Sequence, residues 1–305
     1  MESKTNPLMC DPETGMCEIP TGTNEAGNQI VTAKNKPVKL IYFTDPICSS
    51  CWGIEPQLRK LKLEYGSDIE VEYHMGGLLP DWSYNSGGIS KPSDVAHHWD
   101  EVSKHYQMPI DGDVWLEDPL ESSYPPSIAF KAAQLQNQEK TITFLRIMRE
   151  MVFMQKKNIA KWPVMAEAAL KAGLDTTQLH IDYTGKADQL FRNDLQLARK
   201  MGVRGFPSVF VTNAAGNTEF VYGTKPYSTY ETAIAKVLPP VTKTPYSKDW
   251  TALFAHYPTL TTREFAELSG IQLGEAETQL EKLVGDNKLR KLSSKNGPLW
   301  LSKTM

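Results

Sequence analysis

The sequence predicts an α/β fold with a large helical insertion, followed by a small helix-and-hairpin unit at the C-terminus. Three observations lead there. Val38 to Thr44 is β-branched and aromatic and reads as a buried strand, and Glu55 to Tyr65, with Leu58, Leu61 and Leu63 among charges, reads as the helix that follows it. From about Pro92 to Gly202 the pattern is helical, lying between the first strands and a later strand pair. A connection of that length is an insertion, not a loop. Finally, Pro239-Pro240-Val241-Thr242-Lys243-Thr244-Pro245-Tyr246 reads as a proline-spaced linker with short helices and a hairpin beyond it.

Taken in order, residues 1–28 read as a flexible tail rich in Thr, Asn, Glu, Gly and Pro. Within it Cys10 and Cys17 leave three readings open: two exposed thiols, a disulfide loop or relay to Cys48, or a metal clip that lacks further ligands. Gln29 to Ala33 allows a short leading strand. Ile69 to Met75 alternates and predicts the next strand, ending at Gly76-Gly77-Leu78-Leu79-Pro80. His74, alone on that strand, reads as a structural group in preference to a catalytic base.

The insertion, about residues 90–202, predicts helices over Ser93–Tyr106 (capped by Ser93 or Asp94), Pro126–Gln138, Thr141–Gln155, Pro163–Ala172 and Lys186–Met201. Met148, Met151 and Met154 read as core filling. Val209–Thr212 and Thr218–Tyr222 then form a hairpin around a five-residue loop, and Tyr227–Leu238 a helix. Residues 29–240 thus make one domain and 241–305 a second. The second holds helices at Asp249–His256, at Thr261 onward with a capping box, and at Gly274–Gly285, then a hairpin of Leu289–Leu292 with Leu299–Leu301.

A net charge of −3 and a 40% hydrophobic content fit a soluble globular chain with no general pull toward nucleic acid or anionic membrane. No apolar run approaches the roughly 18 residues of a membrane helix. Met1 to Pro7 shows no basic region leading into an apolar stretch, so a cytoplasmic protein is expected.

The chemistry centres on Asp45-Pro46-Ile47-Cys48-Ser49-Ser50-Cys51-Trp52-Gly53. The strand-turn-helix context sets Cys48 at a helix start, where unpaired N–H groups favour thiolate and bring its pKa below the free value of about 8.5. The thiolate attacks disulfides, and Cys51, one turn on, resolves the mixed disulfide. Zinc would need a second ligand pair at suitable spacing, and none follows.

This stretch resembles the active site of DsbA-like thioredoxin-fold disulfide oxidoreductases, with Asp-Pro-x-Cys-x-x-Cys-Trp-Gly. Pro56 stands where that fold carries a helix-kinking proline. Gly202-Val203-Arg204-Gly205-Phe206-Pro207-Ser208 looks like its cis-proline loop. The resemblance implies a thioredoxin fold with a helical insertion and a cis Phe206–Pro207 bond. It also implies catalytic roles for Cys48, Cys51 and Pro207, and substrate binding by Gly205, Phe206 and Trp52, with no cofactor or metal. Trp52 keeps two readings, over the site or in the core. Two departures stand out. Both residues between the cysteines are serine, which predicts a more reducing couple than strongly oxidising members show. Tyr42 stands where many thioredoxin folds hold a buried acid, leaving Asp45, Glu55 or water to take the Cys51 proton.

The C-terminal unit resembles a winged helix. Its candidate reading helix carries Glu275, Glu277, Glu281 and Asp286 against Lys282, which disfavours DNA and points to a protein contact. In layout the chain also looks like DsbA-like adapters that deliver a regulator to a ClpXP-type protease. Two functions are therefore expected. One is a thiol-disulfide oxidoreductase acting on thiol- or disulfide-bearing proteins or small disulfides. The other is an adapter that presents a partner to a protease without turnover.

Overall fold

The computed structural model describes residues 36–83 and 91–303. The tail with Cys10 and Cys17, and the leading strand at 29–33, lie outside the described residues. Two parallel strands, β1 (Val38–Thr44) and β2 (Ile69–Met75), pair in register from Val38–Ile69 to Thr44–Met75. On the other side of β1 runs antiparallel β3 (Ser208–Asn213), which pairs in turn with antiparallel β4 (Thr218–Tyr222). The sheet order is β2-β1-β3-β4. Because β3 runs against β1, its first residue, Ser208, sits opposite Phe43 at the end of β1, and Tyr222 sits opposite Ser208. The turn after β1, the glycine loop after β2 and the Phe206–Pro207 segment before β3 therefore leave the sheet at the same end.

Helices cover the sheet. After the short α1 (Ser49–Gly53) the chain breaks at Ile54 and restarts as α2 (Glu55–Tyr65), with Pro56 in its first turn. Proline is tolerated there, since its missing N–H would have no partner inside the helix. The insertion holds α3 (Pro92–Tyr106), α4 (Val114–Glu117), α5 (Tyr124–Gln136), α6 (Gln138–Met154), α7 (Trp162–Lys171), α8 (Thr176–Thr184) and α9 (Ala187–Lys200). Asp94 caps α3 from inside the first turn, accepting the Lys91 N–H, so the helix begins two residues earlier than a Ser93 cap would place it. Asn137 both ends α5 and caps α6, its side chain accepting the Lys140 N–H at 2.9 Å. Met148, Met151 and Met154 are all buried.

A buried ionic cluster pins the insertion to the sheet. His74 on β2 shares hydrogen bonds with Asp194 on α9 at 2.7 Å and Glu72 at 3.0 Å, while Lys131 on α5 meets Asp194 at 2.9 Å. Burial alone would lower the His74 pKa, but the Asp194 and Glu72 bonds overturn it, and the net direction is upward from 6.5. Its contribution is complete below pH 6.5, where unfolded histidine is also charged, and is lost as pH rises through the higher folded value. The stability advantage of wild type over His74→Gln should therefore be level below pH 6.5 and shrink as pH rises above it, read as urea midpoints at each pH.

After α10 (Tyr227–Val237) the proline segment is held against α2: the Thr244 N–H donates to the Glu64 carbonyl at 2.7 Å, and Lys243 bridges Glu64 and Glu231. Beyond it come α11 (Trp250–His256), β5 (Thr259–Thr261), α12 (Thr262–Ser269), α13 (Leu273–Gly285), β6 (Leu289–Ser294) and β7 (Gly297–Ser302). The three strands order as β5-β7-β6. The strands of the expected hairpin run further than anticipated, since only Lys295 and Asn296 separate them, and β5 joins as an unanticipated third strand. Leu253, Phe265, Leu280 and Trp300 centre a core of their own, against which Leu63 of α2 packs.

Candidate active site

Cys48 is the N-cap of α1, and its Sγ accepts the Cys51 backbone N–H at 3.1 Å. Sγ and Sγ of the two cysteines are joined as a disulfide. Cys51 is fully buried and Cys48 is 4% exposed. Cys48 lies in the wall of a cleft of about 630 Å³, so it is the sulfur a partner can reach. The same N–H that meets Sγ here can stabilise negative charge on that sulfur once the bond is opened.

The other walls come from the loops that the sheet brings together. Gly76, Gly77 and Leu78 face Cys48 from the end of β2, and Gly205 and Phe206 from the start of β3. The Phe206–Pro207 peptide is cis. Glycine at 76 is a packing requirement, because a Cβ there would run into the Phe206 ring. Gly77 has φ +68, which side-chain-bearing residues rarely adopt. Trp82, Trp99 and Trp115 form the far side, with edge-to-face contacts of 5.9 Å and 5.2 Å around Trp115.

Asp45 ties two of these loops together. One carboxylate oxygen accepts the Ile47 N–H at 3.0 Å; the other accepts the Leu78 N–H and the Ser123 hydroxyl, each at 2.8 Å. Burial pushes its carboxyl up to about 6, against the pull of these donated bonds and of Arg149. Beneath it, fully buried Arg149 donates to Glu55, to the Thr44 hydroxyl at 2.6 Å and to the Asp45 carbonyl at 3.3 Å. Tyr42 is fully buried, and burial drives its hydroxyl far above the ordinary range, so it stays neutral at physiological pH.

Of the residues anticipated from sequence, Cys48, Gly205 and Phe206 line one cleft. Pro207 is buried behind them, its carbonyl accepting the Gly223 N–H at 2.9 Å. Trp52 does not line the cleft, and its reading as a substrate-binding residue is corrected. It is fully buried, stacks on Phe153 at 5.5 Å, donates from Nε1 to the Pro109 carbonyl at 3.1 Å and carries the Arg146 guanidinium 4.3 Å over its ring. It is held inward by Phe153 and Arg146 of α6 and by the Pro109 carbonyl. Glu55 is engaged by Arg149, and Asp45 by its three donors.

Sequence reasoning missed the buried charge network behind the site. Arg146 donates to both oxygens of fully buried Glu264 on α12, at 2.7 Å and 3.0 Å, and to Glu150 at 2.6 Å. Arg59 of α2 approaches Glu264 at 3.3 Å and donates to the Thr259 carbonyl at 2.6 Å. Burial would raise the Glu264 pKa, but Arg146 and Arg59 hold it below the carboxylate norm. Trp52 thus lies one residue from the disulfide and one guanidinium from the C-terminal unit. The cleft tryptophans were also missed, although Trp82, Trp99 and Trp115 follow the glycine loop within the next forty or so positions.

A family model described as Thioredoxin matches residues 42–232. The chain is 34% identical over 307 residues to the ClpXP adapter protein SpxH of Halalkalibacterium halodurans, covering 98% of this chain and 97% of that one. It is 29% identical over 272 residues to the ClpXP adapter protein SpxH of Bacillus subtilis, covering 88% and 90%. Among solved structures, the cytosolic disulfide reductase DsbM from Pseudomonas aeruginosa superposes with a TM-score of 0.53 at 20% identity, over 65% of this chain and all of that one. At that identity the match speaks for a shared thioredoxin fold.

Proposed function

The chain belongs to the thioredoxin family and groups with the SpxH adapters, and from that premise we propose that it is a cytoplasmic thiol-disulfide oxidoreductase of protein substrates. The observation that carries this reading is the Cys48–Cys51 disulfide with Cys48 alone facing the cleft. Cys48 is the nucleophile: its thiolate attacks a substrate disulfide, the substrate S–S bond breaks, and the departing sulfur leaves as thiolate. Cys51 then attacks Cys48 Sγ, re-forming the internal disulfide and releasing the second substrate thiolate. Pro207 shapes the groove wall, and the 204–206 backbone pairs with an extended substrate. A cytoplasmic setting suits a pair that is reduced for each round by a thiol pool.

A second reading is favoured by a separate observation. The similarity to the SpxH proteins runs through the C-terminal unit, whereas the match to the disulfide reductase covers 65% of the chain. We read that unit, residues 241–305, as a winged-helix-like module for protein contact, and the whole as an adapter that presents a partner to a ClpXP-type protease. Helix α13 exposes Glu275, Glu277 and Glu281, which suits a protein partner better than phosphate.

Insulin-disulfide reduction by wild type and Cys48→Ser separates the two. Oxidoreductase activity predicts turnover in wild type and background rates, a loss of at least about a hundredfold, in the variant, because serine is no nucleophile at neutral pH. Equal rates in both proteins would leave the adapter reading standing alone.

A further inference from the structure

Resting on the exchange chemistry proposed above, we infer that the cleft selects cysteine-bearing polypeptide segments with carboxylates beside the reacting sulfur. The chain holds 36 acidic against 33 basic residues, so its surface as a whole leans negative. The cleft does not. Among the described residues its lining includes Arg199, Arg204 and His98 and no aspartate or glutamate.

The two arginines differ from the surface cations that are held in ion pairs. Lys156 pairs with Glu117, Lys161 with Asp118 and Arg192 with Asp188. Arg199 and Arg204 are exposed, and no ion pair or side-chain hydrogen bond engages either among the described residues. They flank the turn at Gly202 that leads into the Phe206–Pro207 wall, on the same cleft as Cys48. Unmatched cations around a partly enclosed, apolar-walled cleft focus potential and raise the local concentration of anions.

The occupant is a polypeptide because the apolar surface outruns the cleft. Tyr222 lines the cleft and is 50% exposed; Phe220, 52% exposed, lies 6.1 Å from it and 4.5 Å from Phe210 along the sheet. All lie on β3 and β4, and β4 is an edge of the sheet among the described residues. A segment whose cysteine reaches Cys48 can continue along this aromatic strip, which a small disulfide would leave bare.

The test uses the reduced full-length Cys51→Ser protein and short peptides of equal length. Each peptide has a central cysteine held as a mixed disulfide with thionitrobenzoate, flanked by Glu, Gln or Lys. The Cys48 thiolate attacks the peptide sulfur, the Cys48–peptide bond forms, and thionitrobenzoate departs with the electron pair and is read by absorbance. Rates are divided by those of the same peptide with a small neutral thiol, which removes intrinsic reactivity. The Glu peptide should react about tenfold faster than the Lys peptide at low salt, with Gln between. Adding Arg199→Gln and Arg204→Gln should bring all three within about twofold, as should salt near 1 M, where the screening length is about 3 Å.

Equal normalised rates, a preference for Lys, or a preference unchanged by the arginine variants would overturn the selection while leaving exchange at Cys48 intact. Release no faster than from the Cys48→Ser, Cys51→Ser double variant would instead reject the exchange reading itself. A small dianionic aryl disulfide reacting as fast as the Glu peptide would overturn the polypeptide assignment.

Discussion

Replacing Glu264 by alanine should destabilise the protein by about 3–5 kcal/mol, the range for breaking a buried ion pair from one side. The carboxylate is fully buried and receives both terminal nitrogens of Arg146, with Arg59 at 3.3 Å. It also closes the capping box of α12, accepting the Thr261 N–H at 2.7 Å while the Thr261 hydroxyl accepts the Glu264 N–H. Alanine would take the nearest counter-charge from Arg59 and one from Arg146, leaving Glu55 at 3.9 Å from the first and Glu150 at 2.6 Å from the second, along with an open helix start. Desolvation decides the size: the attraction among these groups barely offsets their removal from water, so losing one partner costs more than the network contributes as a whole. In urea the midpoint should fall by roughly 1 M or more. Replacing Arg146 and Glu264 together by methionine should recover only part of the loss, since Glu150 then loses Arg146 and Arg59 still lacks Glu264. A Glu264→Ala midpoint within the scatter of wild type would show that water reaches this carboxylate.

Asp45→Ala should cost about 3 kcal/mol, because unsatisfied buried donors cost about 1–3 kcal/mol each and three lose their acceptor. The Leu78 N–H, the Ile47 N–H and the Ser123 hydroxyl all point at this one carboxylate. The effect carries a pH signature. The folded carboxyl titrates at about 6 against 3.8 for a free aspartate. Between those values the folded protein keeps a proton that the unfolded chain has released, so this group's stability contribution falls as pH rises from about 4 to about 6 and is level above. The gap between wild type and Asp45→Ala should narrow across that window. Exchange at Cys48 should slow as well, since the loop opposite the sulfur loses its tie to the cysteine turn.

How much of this was legible in the chain itself depends on distance along it. The cysteine turn, the strand before it, the glycine loop and the Phe206–Pro207 segment are each local patterns, and the register of an antiparallel β3 on β1 suffices to gather them at one end of the sheet. Among the described residues, five of the seven insertion helices follow from periodicity, the single-turn α4 does not, and the capping box at Thr261 to Glu264 is where the pattern put it. Helix α8 escaped notice because its apolar residues are few and Ile181 is exposed; the Asp175 side chain accepting the Thr177 and Gln178 N–H groups was its readable signal. Trp52 shows the other limit. Its place in the motif argues for the cleft, yet its surroundings are set by Arg146 and Phe153, about a hundred positions away. Spacing on a helix shows that Arg146 shares a face with Arg149 or Glu150, but not that it meets a carboxylate 118 residues downstream.

The guanidinium of Arg146, sandwiched between Trp52 and Glu264, makes the chain hard to dissect. Cutting it at the prolines would hand an experimenter a thioredoxin half whose Arg146 and Arg59 face water where Glu264 of α12 had met them. Sluggish chemistry in such a fragment would report that wound, and say little about what the uncut protein does.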